Sequence, residues 1–337
     1  MTSISVLVGV AIVATVIVWA GSRWLERAAD RLGRHYGLPR IVQGAILAAI
    51  GSSAPEIASA IIATVRYGEF ELGIGVIVGS AVFNILVIPA LATLLSDGGL
   101  DTGRDVVYKE AQFYMLSVAV LFLAFALAVI YYPIEGTVDL QGYLTRPLAL
   151  SLLALYGLYV FVQYLDVTDS DLPGELLSQR SLLVSWMMLA GGIALIIVGV
   201  EGLIFSAIGL GDAFGTPSFL WGLTVVAAAT SLPDALISVS AARIDEAAVS
   251  LGNVLGSNVF DLLVAIPAGV LLAGPTPVSF TAAVPMMAFL VVATIILFTF
   301  ARTGMEITDR EASAMLVLYG LFVAWLLLES VGVVDFV

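Results

Sequence analysis

The stretch Gly51-Ser52-Ser53-Ala54-Pro55-Glu56 places a helix-breaking proline and an acid in the middle of a long apolar segment. A related stretch, Ala229-Thr230-Ser231-Leu232-Pro233-Asp234, repeats the hydroxyl pair, the proline and the carboxylate in the second half of the chain. A carboxylate near the centre of a bilayer costs roughly 2.5 to 3.5 kcal/mol on insertion scales and usually marks a functional site on an ion pathway. The two stretches therefore predict a polar site inside a membrane.

Composition agrees with a membrane environment. Of 337 residues, 61% are hydrophobic and 12% are charged, with a mean hydropathy of +1.09, whereas soluble domains carry about 25% charged residues. This composition predicts an all-α polytopic membrane protein in contact with membrane lipid. Small cations as its other partners are predicted by the polar motifs and not by the composition. The absence of cysteine excludes disulfides, and the net charge of −13 argues against a nucleic-acid partner.

Apolar runs long enough to cross a bilayer number ten. The first begins without a basic flank, which favours a retained span over a signal peptide. The predicted spans are 4–22, 41–65, 72–96, 109–132, 144–164, 183–209, 218–242, 247–273, 276–300 and 312–333.

The distribution of basic residues predicts the orientation of these spans, because arginine and lysine are retained on the cytoplasmic side. Of the thirteen basic residues, only Arg66 and Arg146 lie outside the loops that follow odd-numbered spans. Those loops are therefore predicted to be cytoplasmic, with both termini outside the cell membrane. Since each half has five spans, the two halves must have opposite orientations.

An internal repeat supports this division. Residues 75–86 align without gaps on residues 252–263, with six identities in twelve positions. The predicted organisation is a first five-helix repeat at 1–165, a short acidic cytoplasmic linker at 166–182 and an inverted five-helix repeat at 183–337. Inverted repeats with interrupted helices commonly form a substrate site near the bilayer midplane.

The chemistry of the repeated motifs favours a hard cation. Proline lacks an N–H, so Pro55 and Pro233 should free the backbone carbonyls of Gly51 and Ala229. Pairs of polar residues four positions apart share a helix face if the helix continues locally; these are Ser52 with Glu56, Ser80 with Asn84, Thr230 with Asp234, and Ser257 with Asp261. Together they would offer only oxygen ligands, which suit calcium and disfavour zinc or copper.

Helix packing is the alternative explanation for the small residues in these motifs. Packing is the favoured interpretation for the glycines. It competes evenly with ligation for the two serines of the aligned stretches 75–86 and 252–263. Ligation is favoured for the acids and for the single amide. The glycines are Gly75, Gly79, Gly252 and Gly256, and the two serines are Ser80 and Ser257.

These motifs, taken over essentially the whole chain, resemble the calcium/cation antiporter superfamily, the sodium/calcium exchangers. The resemblance implies ten helices in two inverted five-helix repeats, no cofactor, no enzymatic activity and a monomeric transport unit that requires no protein partner. It further implies that Glu56 and Asp234 bind calcium. The implied sodium or potassium ligands are Ser52, Ser53, Ser80, Asn84, Thr230, Ser231, Ser257 and Asp261.

Two departures from the common pattern resemble the potassium-dependent subgroup of that family. The acid after the second proline is Asp234 rather than glutamate, and the first repeat has Val76 and Ala81 where many relatives have asparagine. In that subgroup the position of Asp261 is tied to potassium. If all are ionised, Glu56, Asp234 and Asp261 carry three negative charges, which one calcium and one potassium would neutralise.

Other functions remain as alternatives. A calcium/proton exchanger is disfavoured because proton-coupled relatives tend to have acids where this chain has Asn84, and an ion channel would conduct without a counter-gradient. The string Gly209-Leu210-Gly211-Asp212 matches the GxGD motif of intramembrane aspartyl proteases, but it falls in a predicted external loop. Glu201 could line an ion access path or could be a solvated residue at the end of its span.

Overall fold

The computed structural model describes residues 3–37, 49–96, 100–104, 106–136, 140–166, 178–242 and 247–330. Nine helical segments within these ranges are long and apolar enough to cross a membrane. A tenth segment, Ala49 to Tyr67, is helical on both sides of an interruption at Ser53. The predicted all-α membrane fold is confirmed.

The described chain forms α-helices, π-helical turns and short strands, labelled in chain order. The α-helices are α1 Ile4–His35, α2 Ala49–Ser52, α3 Ala54–Ile62, α4 Phe70–Leu95, α5 Ala111–Tyr131, α6 Arg146–Asp166, α7 Gln179–Phe214, α8 Ser218–Trp221, α9 Ala227–Ala242, α10 Ala247–Phe260, α11 Ile266–Ala273, α12 Phe280–Arg302 and α13 Asp309–Ser330. The π-helical turns are Ala63–Tyr67, Val106–Glu110, Gly222–Val226 and Asp261–Ala265, and the strands are β1 Leu100–Asp101, β2 Gln141–Leu144, β3 Thr276–Ser279 and β4 Glu306–Ile307.

The first span is longer than its apolar run predicts. The prediction ended at residue 22, whereas α1 continues to His35. The added part has arginines on one face, and Leu25, Ala28 and Leu32 are buried on the other. A search for apolar runs stops at the first arginine, although an amphipathic helix continues past it.

The sixth span is also longer, because α7 runs from Gln179 to Phe214 rather than over 183–209. The string Gly209 to Asp212 therefore lies in the last turns of a helix, so its placement in an external loop was wrong. The ends of the predicted linker 166–182 are helical as well, since Asp166 closes α6. Residues 167–177 of that linker lie outside the described residues.

Helix α4 is the centre of the molecule. In its most apolar window 89% of the residues are buried, and the helix contacts α3, α9, α10, α12 and α13. A helix that is apolar all round is buried all round. Ser80 and Asn84 interrupt this apolar surface in the middle of the helix, where both have 0% exposure.

Two glycines of α4 allow the second repeat to approach closely. A Cβ atom added to Gly79 would lie 2.1 Å from the carbonyl oxygen of Leu223, and one added to Gly75 would lie 2.8 Å from that of Phe219. Real Cβ atoms do not approach backbone this closely, so only glycine fits at these positions. The predicted packing role of Gly75 and Gly79 is confirmed, and it places α4 directly against the start of the seventh span.

Helices α1 and α7 cross at a second glycine contact. A Cβ atom on Gly21 would lie 2.9 Å from the carbonyl oxygen of Gly192, and one on Gly192 would lie 2.8 Å from that of Gly21. Both helices are the first of their repeat, and α1 also contacts α2 and α9. The pair therefore lies along the segments that carry the two proline motifs.

The short strands show that the two repeats are inverted. Strand β1 follows the third span of the first repeat and pairs with β4, which follows the fourth span of the second repeat. Strand β2 follows the fourth span of the first repeat and pairs with β3, which follows the third span of the second. Successive loops of one repeat lie on opposite sides of a membrane. A loop after the third span of one repeat can therefore pair with a loop after the fourth span of the other only if the two repeats have opposite orientations.

Candidate ion-binding site

Every polar side chain that the sequence predicts as a ligand is buried, with an exposed fraction of 4% or less. Helices α2 and α3 and the residue between them carry three of these residues, α4 carries two, α9 carries three, and α10 with the following π-helical turn carries two. The set is Ser52, Ser53, Glu56, Ser80, Asn84, Thr230, Ser231, Asp234, Ser257 and Asp261. Gly51 and Ala229, whose carbonyls were predicted to be freed, are also buried.

Two hydroxyl pairs join the repeats across this buried region. The Oγ atoms of Ser53 and Ser257 are 2.8 Å apart, and those of Ser80 and Ser231 are 2.7 Å apart. In the internal alignment Ser53 corresponds to Ser231, and Ser80 corresponds to Ser257. The two pairs are therefore the same contact made twice, once from each repeat.

Each hydroxyl pair leads to one of the two proline-motif acids. Ser257 donates to Asp234 Oδ2 over 3.2 Å, and Ser80 makes the equivalent but longer contact of 3.4 Å to Glu56 Oε1. The hydroxyl of Thr230 lies near Glu56 and donates to the carbonyl oxygen of Ala227 over 3.1 Å. One oxygen of each acid is thus held by the partner motif of its own repeat.

Five other oxygens of the predicted ligands have no hydrogen-bond partner among the described residues. Glu56 Oε2, Asp234 Oδ1, Asn84 Oδ1 and both carboxylate oxygens of Asp261 are buried and accept no hydrogen bond from the part of the chain that the structure describes. Buried polar atoms are normally hydrogen-bonded, and a group of exceptions requires an explanation. Five acceptor oxygens without donors are a suitable environment for cations.

An amide pair breaks the symmetry of the site. Asn84 Nδ2 donates to Asn258 Oδ1 over 2.9 Å, and Asn258 Nδ2 lies 3.3 Å from the carbonyl oxygen of Ala81. By the internal alignment Asp261 corresponds to Asn84, but the residue that corresponds to Asn258 is Ala81, which has no side-chain amide. Asp261 therefore has no side-chain amide partner equivalent to the one that Asn84 has. Sequence reasoning missed Asn258, although its alignment with Ala81 marked the difference.

The two proline motifs have different backbones. The first is interrupted at Ser53, and Pro55 occupies the first turn of α3, where its missing N–H removes no helical hydrogen bond. The second lies within α9, which continues through Pro233. Of the two helix breaks expected at the prolines, the first is present and the second was wrong. In the seventh span the irregularity is the π-helical turn Gly222–Val226, which precedes the motif.

The acids are not gathered around one point. Within the described ranges no three acidic or histidine side chains are close enough to hold a single metal ion. Glu56 and Asp234 have matching positions in the two repeats, whereas Asp261 begins the π-helical turn Asp261–Ala265, with the Ser53 hydroxyl nearby.

The comparison with protein families covers nearly the whole chain. The family described as sodium/calcium exchanger protein matches residues 6–165 and 184–328, which together overlap all ten predicted spans. This chain belongs to the sodium/calcium exchanger family. The family consists of cation antiporters, so the chain is an integral membrane protein of an antiporter family.

Relatives of this exchanger are known in sequence and in structure. The sodium/calcium exchanger MaX1 of Methanosarcina acetivorans is 26% identical, over 90% of this chain and 93% of its own length. The solved structure of the sodium-calcium exchanger NCX_Mj, soaked with 10 mM Na+ and no Ca2+, superimposes with a TM-score of 0.64 at 25% identity and covers 96% of this chain and 99% of that one. Sodium/potassium/calcium exchanger 1 of Mus musculus is 34% identical over 36% of this chain and 9% of its own length.

Glu201 of this exchanger lies outside the buried site. It is on α7, accepts a hydrogen bond of 2.6 Å from the hydroxyl of Tyr67, and forms an ion pair with Arg66 at 3.1 Å. Its side chain is 25% exposed. Of the two predicted roles, a partly solvated side chain agrees with this geometry, although Glu201 lies inside α7 and not at its end. The contact ties α7 to the end of the second span.

Proposed function

We propose that this exchanger moves calcium in one direction and sodium in the other through one central site that opens to each side of the membrane in turn. The observation that supports this best is the pair of buried, unpartnered oxygens Glu56 Oε2 and Asp234 Oδ1. Each belongs to an acid whose other oxygen is held by a hydroxyl pair between the repeats. Two carboxylates balance the charge of one calcium ion.

Calcium suits these ligands for chemical reasons. It takes six to eight oxygens at roughly 2.3 to 2.6 Å and tolerates irregular geometry. Besides Glu56 and Asp234, the proposed ligands include two backbone carbonyls, that of Gly51 just before the interruption at Ser53 and that of Ala229, to which Pro233 cannot donate. Carboxylate and carbonyl oxygens without thiolate or imidazole disfavour zinc and copper.

Sodium would bind mainly to the uncharged oxygen ligands of the same region. The hydroxyls of Ser52, Ser53, Ser80, Thr230, Ser231 and Ser257 and the amide oxygen of Asn84 are the proposed ligands, together with Asp261. Since several of these hydroxyls contact the two acids, sodium and calcium would compete for shared atoms. Competition for one set of ligands is what couples the two fluxes in an antiporter. Shifts of the peripheral helices against the buried core around α4 would expose the site alternately.

A potassium requirement is a second candidate. Both oxygens of Asp261 are buried and unpartnered among the described residues, and Ala81, at the position equivalent to Asn258, has no side-chain amide that could contact them. A monovalent cation at Asp261 would satisfy these atoms and balance the third negative charge. The partial similarity to a sodium/potassium/calcium exchanger agrees with this assignment.

Ion-gradient experiments on vesicles test the proposed function. Purified protein is reconstituted into vesicles loaded with sodium, and uptake of radioactive calcium is measured after dilution into sodium-free buffer. Uptake should require the sodium gradient and should stop when sodium is equal on both sides. Equal uptake with a proton gradient in place of sodium would identify a calcium/proton exchanger, and uptake without any counter-gradient would identify a channel.

Variants assign the residues in the same assay. Glu56→Gln and Asp234→Asn should each abolish calcium uptake, whereas Glu135→Gln, at an exposed loop position, should leave it unchanged. Normal uptake by either site variant would remove that residue from the calcium site. Asp261→Asn should retain calcium uptake but lose any stimulation by potassium; stimulation that persists in this variant would contradict the potassium assignment.

A further inference from the structure

Glu26 is an acid that the proposed site does not use. It lies in the second half of α1, within Arg23-Trp24-Leu25-Glu26-Arg27, at the end of the span that is rich in arginine. The two neighbouring arginines are exposed, whereas Glu26 is partly buried. Glu26 therefore lies between the buried face of α1 and the face that carries the basic residues.

The side chain of Glu26 lies against the interruption in the second span. A Cβ atom added to Gly51 would be 3.3 Å from Glu26 Cγ and 3.7 Å from its Cα. Glycine at position 51 thus leaves the space that the acid occupies. Helix α1 also contacts α9, the helix that carries Asp234.

One carboxylate oxygen of Glu26 is without a donor. Oε1 is buried and accepts no hydrogen bond from the residues that the structure describes, and none of the ion pairs among those residues includes Glu26. The carboxylate is within electrostatic range of Asp234, which carries the same charge, and of Arg23 and Arg27, which carry the opposite charge but form no ion pair with it among the described residues. Two buried like charges destabilise each other unless a cation lies near them.

A purely structural role for Glu26 would be an anchor at the membrane surface. Such an anchor would direct its carboxylate toward solvent or toward Arg23 or Arg27. Instead, Oε1 is buried without a donor among the described residues, and the stem of the side chain lies against Gly51. An ion that enters from the arginine-rich end of α1 would therefore meet Glu26 before it reaches the central site.

We propose that Glu26, with the backbone around Gly51, binds a transported cation on its way between the side of the membrane at the arginine-rich end of α1 and the site at Glu56 and Asp234. This inference rests on the proposed function and adds to it a second, one-sided cation site. The ligand is calcium, because a divalent ion relieves the repulsion between Glu26 and Asp234 most effectively. Glu26 does not lie on the route that connects the central site with the other side of the membrane.

The test is a comparison of calcium affinity from the two sides of the membrane. Sodium-driven calcium transport is measured in inside-out and right-side-out vesicles for the wild type, Glu26→Gln and Glu26→Asp. Glu26→Gln should raise the half-saturating calcium concentration by roughly three- to tenfold on the side of the arginine-rich end of α1 only. Glu26→Asp, which keeps the charge, should show a smaller increase. Thermal unfolding of each variant establishes that it is folded.

The matched control is Asp30→Asn, which removes one negative charge one turn further along α1, where Asp30 is exposed and paired with Arg34 at 2.6 Å. It should not change calcium affinity on either side. The proposal is overturned if Glu26→Gln leaves both affinities unchanged, changes both equally, or matches Asp30→Asn. Equal impairment by Gln and Asp would also overturn it, since packing would then explain the loss. Failure of the wild type to couple calcium to sodium would instead refute the proposed function.

Discussion

Ser231 and Ser240 are both on α9 but have different environments. Ser231 is fully buried and its hydroxyl pairs with Ser80 across the repeats, whereas Ser240 is exposed and donates to the carbonyl oxygen of Leu236. Ser231→Ala should raise the half-saturating sodium concentration about three- to tenfold, because the loss of one buried oxygen contact corresponds to about 0.5–1.5 kcal/mol.

Ser240→Ala should leave sodium activation unchanged, and sodium dependence of calcium transport measures both variants. The same sodium dependence in Ser231→Ala and the wild type would show that this hydroxyl is structural. An equal effect of both substitutions would show that the measurement reports on α9 in general and not on the site.

At the residue scale the sequence predicted which polar residues are buried together better than it predicted which of them are in contact. Spacing by four residues identified Glu56, Asp234 and Asp261, because acids within apolar segments stand out by their free-energy cost. It could not predict that Ser53 would meet Ser257, since that contact depends on how two distant segments cross. It also missed Asn258 and Glu26, whose positions are ordinary until the fold places them beside the site.

At the level of helices, Pro233 and Pro285 offer a matched comparison. Both lie inside continuous helices, Pro233 in α9 beside Asp234 and Pro285 in the peripheral helix α12. Replacement by alanine restores a backbone hydrogen bond in each helix, and it should raise the free energy of unfolding by up to about 3 kcal/mol. Only Pro233→Ala should also weaken calcium binding, because the carbonyl of Ala229 would then be occupied by a backbone N–H.

Thermal unfolding and calcium titration in detergent measure the two effects separately. Unchanged calcium affinity in Pro233→Ala would exclude the Ala229 carbonyl from the site. Weakened affinity in Pro285→Ala as well would indicate a general effect of helix stiffness.

Hydropathy predicted which segments are helices but not all of their ends. The extension of α1 beyond residue 22 has a buried stripe that includes Leu25 and Leu32, and arginine side chains cover its other face. The break at Ser53 and the continuous helix at Pro233 come from nearly the same local sequence. Their difference is therefore set by the surrounding helices, because tertiary packing decides whether a proline interrupts a helix or is accommodated within it.

For the whole molecule, the strand pairs and the basic residues lead to one topology. Pairing of β1 with β4 puts the loops after the third and ninth spans on the same side, and the basic residues predict that this side is cytoplasmic. The chain has no cysteine, so single cysteines can be introduced without background. Glu306→Cys, on β4, should react with an impermeant maleimide only from the cytoplasmic side, and Glu135→Cys only from outside. Labelling in the reverse pattern would contradict the orientation, and labelling of both from one side would contradict the inverted repeat.

The central claim is that Glu56 and Asp234, from opposite repeats, hold the calcium ion that sodium displaces. Anomalous diffraction from crystals soaked with strontium, a divalent substitute for calcium, tests it directly. At low sodium we expect one strong strontium peak within coordination distance of Glu56 Oε2 and Asp234 Oδ1, and we expect this peak to disappear when sodium is raised. A peak located elsewhere, or one at this position that sodium does not displace, would contradict the account.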